Sequence, residues 1–128
     1  MQLIQGLNRA VTINANGLAT VFRDRRFTWR EAAARIAAIA GGLSRLGIGP
    51  GDRVAILALN SDRYWEAMYA IPGMGATMVP LNTRLAPPEI AFMLADSGAK
   101  ALIVDDQFAA IPATLAGQMG SVAHVIHL

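Results

Sequence analysis

A chain of 128 residues that is 54% hydrophobic and 16% charged can bury a substantial core as one domain, and its apolar share exceeds what soluble domains ordinarily carry. The absence of cysteine excludes disulfides, thiolate nucleophiles and cysteine-ligated zinc, which leaves oxygen and nitrogen chemistry. The formal net charge of +2 rests on arginines that are mostly scattered singly, so a nucleic-acid-binding surface is not expected.

Residues 1–11 have neither a basic start nor a continuous apolar run, so they do not read as a signal peptide, and a cytoplasmic protein is expected. Apolar and polar residues then alternate over 19–23 and 26–28 around Asp24-Arg25, which predicts a β-hairpin. Arg23, Arg25, Arg26 and Arg30 gather there. With Asp24 and Glu31 interrupting them, they are expected to form a solvated hairpin face rather than a phosphate or nucleic-acid patch.

Thr28 and Glu31 have the spacing of a capping box, and Ala32, Ile36, Ile39, Leu43 and Leu46 recur on one helical face until Gly47. Gly49-Pro50-Gly51 makes a turn into the apolar run 53–59, which has the length and composition of a strand buried on both faces. Ser61 or Asp62 can cap a helix through Ile71, followed by glycines and a strand over 76–79. The uncharged stretch 67–81 contains Pro72, Gly73 and Gly75 and is shorter than the ~20 residues of a membrane helix, so no membrane span is expected.

After the loop Leu81-Asn82-Thr83-Arg84, Pro87 and Pro88 suit the first turn of a helix that carries Ile90, Phe92, Met93 and Leu94 and stops at Gly98. A strand over 101–104 follows. Asp105 or Asp106 would begin a helix that Pro112 interrupts, and a final strand is expected over 122–126. Strands separated by one helix length imply parallel pairing and right-handed crossovers. The expected fold class is therefore α/β, a parallel sheet with crossover helices preceded by a short β-hairpin, in a single domain over 1–128.

Ligands of such sheets sit at the carboxyl ends of the strands, which points to Asn60-Ser61-Asp62, Leu81-Asn82-Thr83-Arg84 and Asp105-Asp106. Asn60, Ser61 and Asp62 are expected to cap a helix, Asn82 to bond its own backbone, and Arg84 to form a surface ion pair. Asp105-Asp106 reads as one cap and one solvated charge, and His124 and His127 point to opposite faces of a strand, so neither pair is a metal site. Met68, Met74, Met78 and Met93 are expected to fill the core. The glycine-rich stretches precede strands rather than follow them, and Lys100 has no glycine-rich loop before it, so no nucleotide-binding fingerprint is present.

Several motifs nevertheless occur in a telling order: Phe27-Thr28-Trp29-Arg30-Glu31, Leu43-Ser44-Arg45-Leu46-Gly47-Ile48-Gly49-Pro50-Gly51-Asp52-Arg53-Val54-Ala55, Ala70-Ile71-Pro72-Gly73-Met74-Gly75-Ala76, Val79-Pro80-Leu81-Asn82-Thr83-Arg84-Leu85 and Asp96-Ser97-Gly98-Ala99-Lys100. Across about residues 15–106 this series resembles the N-terminal region of the adenylate-forming acyl-CoA synthetases, most closely the fatty-acid and related acid-CoA ligases. The resemblance implies an incomplete N-terminal subdomain of a two-step ligase. A carboxylate attacks ATP to give an acyl-adenylate and pyrophosphate, and CoA then displaces AMP, with magnesium assisting the first step.

The resemblance implies a small carboxylic acid as substrate of a full-length enzyme, together with ATP, CoA and magnesium as cofactors, and none of these three cofactors is expected to bind this chain alone. The phosphate-binding loop and catalytic lysine of that family would lie beyond this sequence. Lys100 matches a structural motif and not the catalytic lysine. No catalytic, cofactor-binding or metal residue is therefore assigned at any position. Two readings stay open: an N-terminal fragment of such a ligase, inactive in isolation, and a free-standing non-catalytic module that dimerises or binds an acyl ligand through exposed apolar surface, in which case a homo-oligomer is expected.

Overall fold

The computed structural model describes residues 2–128. Its elements are α1 (Leu3–Asn14), β1 (Leu18–Phe22), β2 (Arg25–Thr28), α2 (Trp29–Arg45), β3 (Arg53–Leu57), α3 (Asp62–Gly73), β4 (Thr77–Pro80), α4 (Pro87–Ser97), β5 (Ala101–Val104), α5 (Ile111–Thr114) and β6 (His124–His127). A 3-10 turn over Asp106–Phe108 precedes α5. No helix among the described residues is long and apolar enough to cross a membrane.

β1 and β2 form an antiparallel hairpin, while β4-β3-β5-β6 form a parallel sheet in that order. Because β3 is flanked by both β4 and β5, the winding reverses at β3, and right-handed crossovers then put α3 and α4 on opposite faces. On one face Val54, Ile56, Ala101 and Ile103 pack with Leu43 of α2 and Ala67 and Ile71 of α3. On the other, Ala55, Leu57, Leu102 and Val104 pack with Ile90 and Leu94 of α4 and with Leu115. The apolar runs at β3 and β5 are unbroken because both faces of these two strands are covered.

The local signals hold where they are strongest. The Thr28 N–H donates to Glu31 Oε2 at 2.8 Å while the Glu31 N–H donates to Thr28 Oγ1 at 3.2 Å, which completes the expected capping box. Pro87 and Pro88 occupy the first turn of α4, whose amide orphan at Ala86 donates to Glu89 Oε2 at 2.7 Å. Gly98 ends α4 in the left-handed conformation at φ 62°, and a Cβ there would meet Arg53 Nη2 at 2.6 Å.

The structure departs from the sequence reading at several points. The helix α1 was not anticipated, although Leu3, Ile4, Leu7 and Val11 carry its spacing; it exists by laying Leu7 and Ile4 on Ile36 and Ala70 of α2 and α3. The hairpin turns at Arg23-Asp24, one residue earlier than expected, so that Arg25 pairs with Phe22. β3 stops at Leu57, because the next segment turns into the α3 cap. After β5 the chain makes a 3-10 turn and a one-turn helix rather than an interrupted helix, with Pro112 within the first turn of α5, and the last strand is His124–His127 instead of 122–126. Met68 is 41% exposed and does not fill the core as expected, whereas Met74, Met78 and Met93 pack against it.

These placements set expected costs in urea unfolding. Leu94→Ala, which removes a side chain buried under α4, should destabilise the chain by about 3 kcal/mol, while the exposed Phe92→Ala should stay within about 0.5 kcal/mol. Gly98→Ala should cost about 1–2 kcal/mol through backbone strain and the collision with Arg53.

Candidate functional site

The reversal of winding places the expected ligand crevice outside the carboxyl ends of β3 and β5. In this protein that crevice is bridged by its own side chain. Asp105, directly after β5, accepts from the Leu59 N–H at 2.7 Å and from the Phe108 N–H at 3.3 Å, tying the end of β3 to the turn after β5. Asp105 is thus a cap, as expected, and the exposed Asp106 faces His127 Nε2 at 3.0 Å.

Beside this bridge lies an open cleft of about 400 Å³, walled by the hairpin tip with Phe22, Arg23 and Arg25 and floored by the Leu59-Asn60-Ser61 segment and Arg63. Ser61 Oγ accepts the Tyr64 N–H at 3.1 Å and caps α3. Asp62 does not cap α3. It is buried and receives two bonds from Arg25, Nε to Oδ2 at 2.8 Å and Nη2 to Oδ1 at 2.5 Å. One turn further along α3, the buried Glu66 receives Nε of Arg35 at 2.5 Å and Nη2 at 3.1 Å, and Arg35 also lies over the Phe27 ring at 4.4 Å.

The expectation of a fully solvated arginine cluster is therefore overturned at Arg25. The β-period turns Arg25 toward α3 and leaves Arg26 exposed on the other face. Sequence reading named Asp62 only as a helix cap and did not single out Glu66, because both look like ordinary acids of a helix surface. Their four-residue spacing, matched against arginines on two other elements, was the available signal. The Arg25 guanidinium, by its hydrogen bonds, holds the Asp62 carboxyl below the usual carboxylate range.

The remaining candidates do not converge on the cleft. Asn82 Oδ1 accepts the Arg84 N–H at 2.9 Å, the local backbone bond expected of it. Arg84 has no carboxylate partner among the described residues. His124 and His127 lie on opposite faces of β6. At the other end of the sheet, Lys100 Nζ meets Asp52 Oδ1 at 2.7 Å, and Arg53 donates to the Ser97 carbonyl at 2.8 Å and the Gly98 carbonyl at 3.1 Å.

A family model described as AMP-binding enzyme matches residues 7–128, nearly the whole chain. The chain belongs to the AMP-binding enzyme family. It is 40% identical over 101 residues to a long-chain-fatty-acid–CoA ligase from Thermus thermophilus, covering 79% of this chain and 19% of that protein. It is 46% identical over 89 residues to a feruloyl-CoA synthase from Amycolatopsis sp, covering 70% and 18%. Among solved structures, the N-terminal domain of FACL13 from Mycobacterium tuberculosis superposes with a TM-score of 0.93 at 34% identity, over 99% of this chain and 34% of that one. The chain spans about a fifth of the length of the curated relatives it matches.

Within this AMP-binding segment the family-like motifs have a structural explanation. Gly51-Asp52-Arg53 and Ser97-Gly98-Ala99-Lys100 meet at the amino ends of β3 and β5, where Asp52, Lys100 and Arg53 lock the two strands and the end of α4 together. That is the end of the sheet opposite to the cleft.

The arginine clamps generate separable expectations. Arg35→Ala, which strands the buried Glu66 carboxylate, should cost about 3 kcal/mol, whereas the paired replacement Arg35→Met with Glu66→Leu should recover most of that loss in urea unfolding. Asp62 is depressed in the folded state, so its contribution is fully present above the unfolded value near ~4 and is lost as pH falls through the folded value. Stability measured from pH ~5 downward should therefore fall less steeply for Arg25→Gln than for the parent chain.

Proposed function

We propose that this chain is the N-terminal portion of an ATP-dependent acid–CoA ligase, which converts a carboxylic acid, ATP and CoA to acyl-CoA, AMP and pyrophosphate through an acyl-adenylate. The observation that carries this reading is the agreement of nearly the whole chain, in family model and in backbone, with a contiguous N-terminal stretch of acid–CoA ligases. Long-chain fatty acids and aromatic acids are both represented among its relatives' names, so the acid is assigned only as a small-molecule carboxylic acid.

The residues at the turn from β3 into α3 do not suit a nucleotide phosphate. The turn from β3 into α3, where a phosphate would approach a helix N-terminus, is Ala58-Leu59-Asn60-Ser61, with no glycine to let the backbone close on a phosphate, and Asp105 already takes the Leu59 amide. No group of three or more potential metal ligands occurs among the described residues. No step of adenylation is therefore assigned to residues of this chain. Its role in the proposed enzyme is to supply a rigid α/β layer, fixed by the two-faced core and the Asp52–Lys100–Arg53 lock, on which the catalytic parts assemble.

The test is ATP–pyrophosphate exchange with a panel of straight-chain and aromatic acids. The 128-residue chain should give no exchange above a protein-free control, while the product of the coding region extended past Leu128 should exchange in an acid-dependent way. Exchange by the short chain, or none by the extended product with any acid, overturns the reading.

A second reading, a free-standing module that dimerises, is favoured by the edge strand β6. This strand carries no lysine, proline or bulge, and its Val125 is 46% exposed. Concentration-dependent sedimentation that Val125→Lys abolishes is its expected mark; a monomer at all concentrations removes it.

A further inference from the structure

The hairpin lies on the body of the fold without entering its core. No residue from Leu18 to Thr28 is fully buried, and Leu18, Val21, Phe22 and Phe27 belong to none of the three apolar clusters. Beyond the capping box at its base, the one side-chain hydrogen-bonded link from the hairpin to the body, among the described residues, is the fork of Arg25 on Asp62. Arg35 adds its cation over the Phe27 ring. At the base, the Trp29 N–H donates to the Gly17 carbonyl and the Arg30 N–H to the Ala15 carbonyl, each at 3.0 Å, and these bonds hold the two ends of the hairpin together where the chain leaves α1 and enters α2.

The contact between hairpin and body is also incompletely satisfied. Thr20 Oγ1 is shielded from water and has no hydrogen-bond partner, a cost of the closed position that hydration would relieve. Asp62 is buried at 4% exposure, and a buried ion pair adds little net stability over its two hydrated halves. The Arg25–Asp62 link can therefore separate at low cost when the hairpin lifts and both partners reach water together. Glu66 keeps its partner in that motion, because Arg35 belongs to α2 and not to the hairpin. The helices keep theirs as well, since Leu7, Ile36 and Ala70 form an apolar cluster of their own.

We propose that the β1–β2 hairpin is a flap, latched by Arg25 on Asp62, that opens about its base while the body stays folded. Phe22, Arg23 and Arg25 belong to the flap, whereas Asn60, Arg63 and Asp106 on the other side of the cleft belong to the body, so the same motion widens or narrows the cleft. This inference is independent of the acid-activation reading, because it concerns a motion of the chain alone.

The test is native-state amide hydrogen exchange of the 128-residue chain in low urea. Two strands alone are marginal in water, so a lifted hairpin loses the protection of its ladder. The ladder amides of β1–β2 should exchange at least about tenfold faster than those of β3–β5, with a weaker urea dependence, because opening exposes little apolar surface. Arg25→Gln, which leaves the Asp62 carboxylate buried and unpaired when the flap is shut, should speed hairpin exchange by about tenfold. Arg26→Gln, which removes the same charge from the exposed face of β2, should leave it unchanged. Ile90→Val, in the core under α4 on the far face of the sheet, should speed β3–β5 exchange about fivefold and leave the hairpin unchanged, because it weakens the body equally with the flap open or shut. One common rate and urea dependence for both ladders, an equal response of both to Ile90→Val, or no greater effect of Arg25→Gln than of Arg26→Gln overturns the proposal.

Discussion

Strands β3 and β5 are apolar on both faces, and most of the architecture follows from that constraint. A parallel strand of this kind cannot leave either face in water, and its neighbours can be reached only by crossovers long enough to hold a helix. Val54, Ala55, Ile56 and Leu57 alternate between the two cores, as do Ala101, Leu102, Ile103 and Val104. Helices α2 and α3 therefore close one side and α4 with the α5 region the other. The reversal of winding at β3 is the topological form of that two-sided cover.

The hairpin stands outside this scheme. Two strands alone are marginal in water, and β1–β2 has no third strand. What holds it is a pair of charge clamps, Arg25 to Asp62 from the hairpin itself and Arg35 to Glu66 from the helix beneath it, with the Arg35–Phe27 contact joining the two. Buried ion pairs of this kind add little to net stability compared with apolar packing, but a wrong register leaves a buried carboxylate unpaired, at a cost of several kcal/mol. The clamps thus fix where the hairpin sits. They also fix the position of Arg23 over the cleft.

The two ends of the sheet have been put to different uses. At the amino ends, Asp52, Lys100 and Arg53 consume one another and the carbonyls at the end of α4, so the residues most reminiscent of the acid–CoA ligases are locking residues. At the carboxyl ends Asp105 ties β3 to the turn after β5, while Arg63 and the exposed Asp106 line the cleft beside it. The chain belongs to the AMP-binding enzyme family and spans only about a fifth of the curated relatives it matches.

The sequence by itself determined the parallel α/β class, the capping box at Thr28 and Glu31, the Pro87-Pro88 start and Gly98 stop of α4, and the family resemblance, because each of these is a local pattern with a local cause. It left α1 unread, since a short amphipathic helix with one buried residue, Leu7, becomes a helix only when α2 and α3 offer a surface. It misplaced the hairpin turn by one residue and read Arg25 as solvated, because the deciding partner, Asp62, is 37 residues away. The same holds for Glu66 and for the Asp105 bridge at 46 residues' separation. Tertiary structure decided which charges were buried, paired or left over, because charge pairing depends on distances in space that no local spacing encodes.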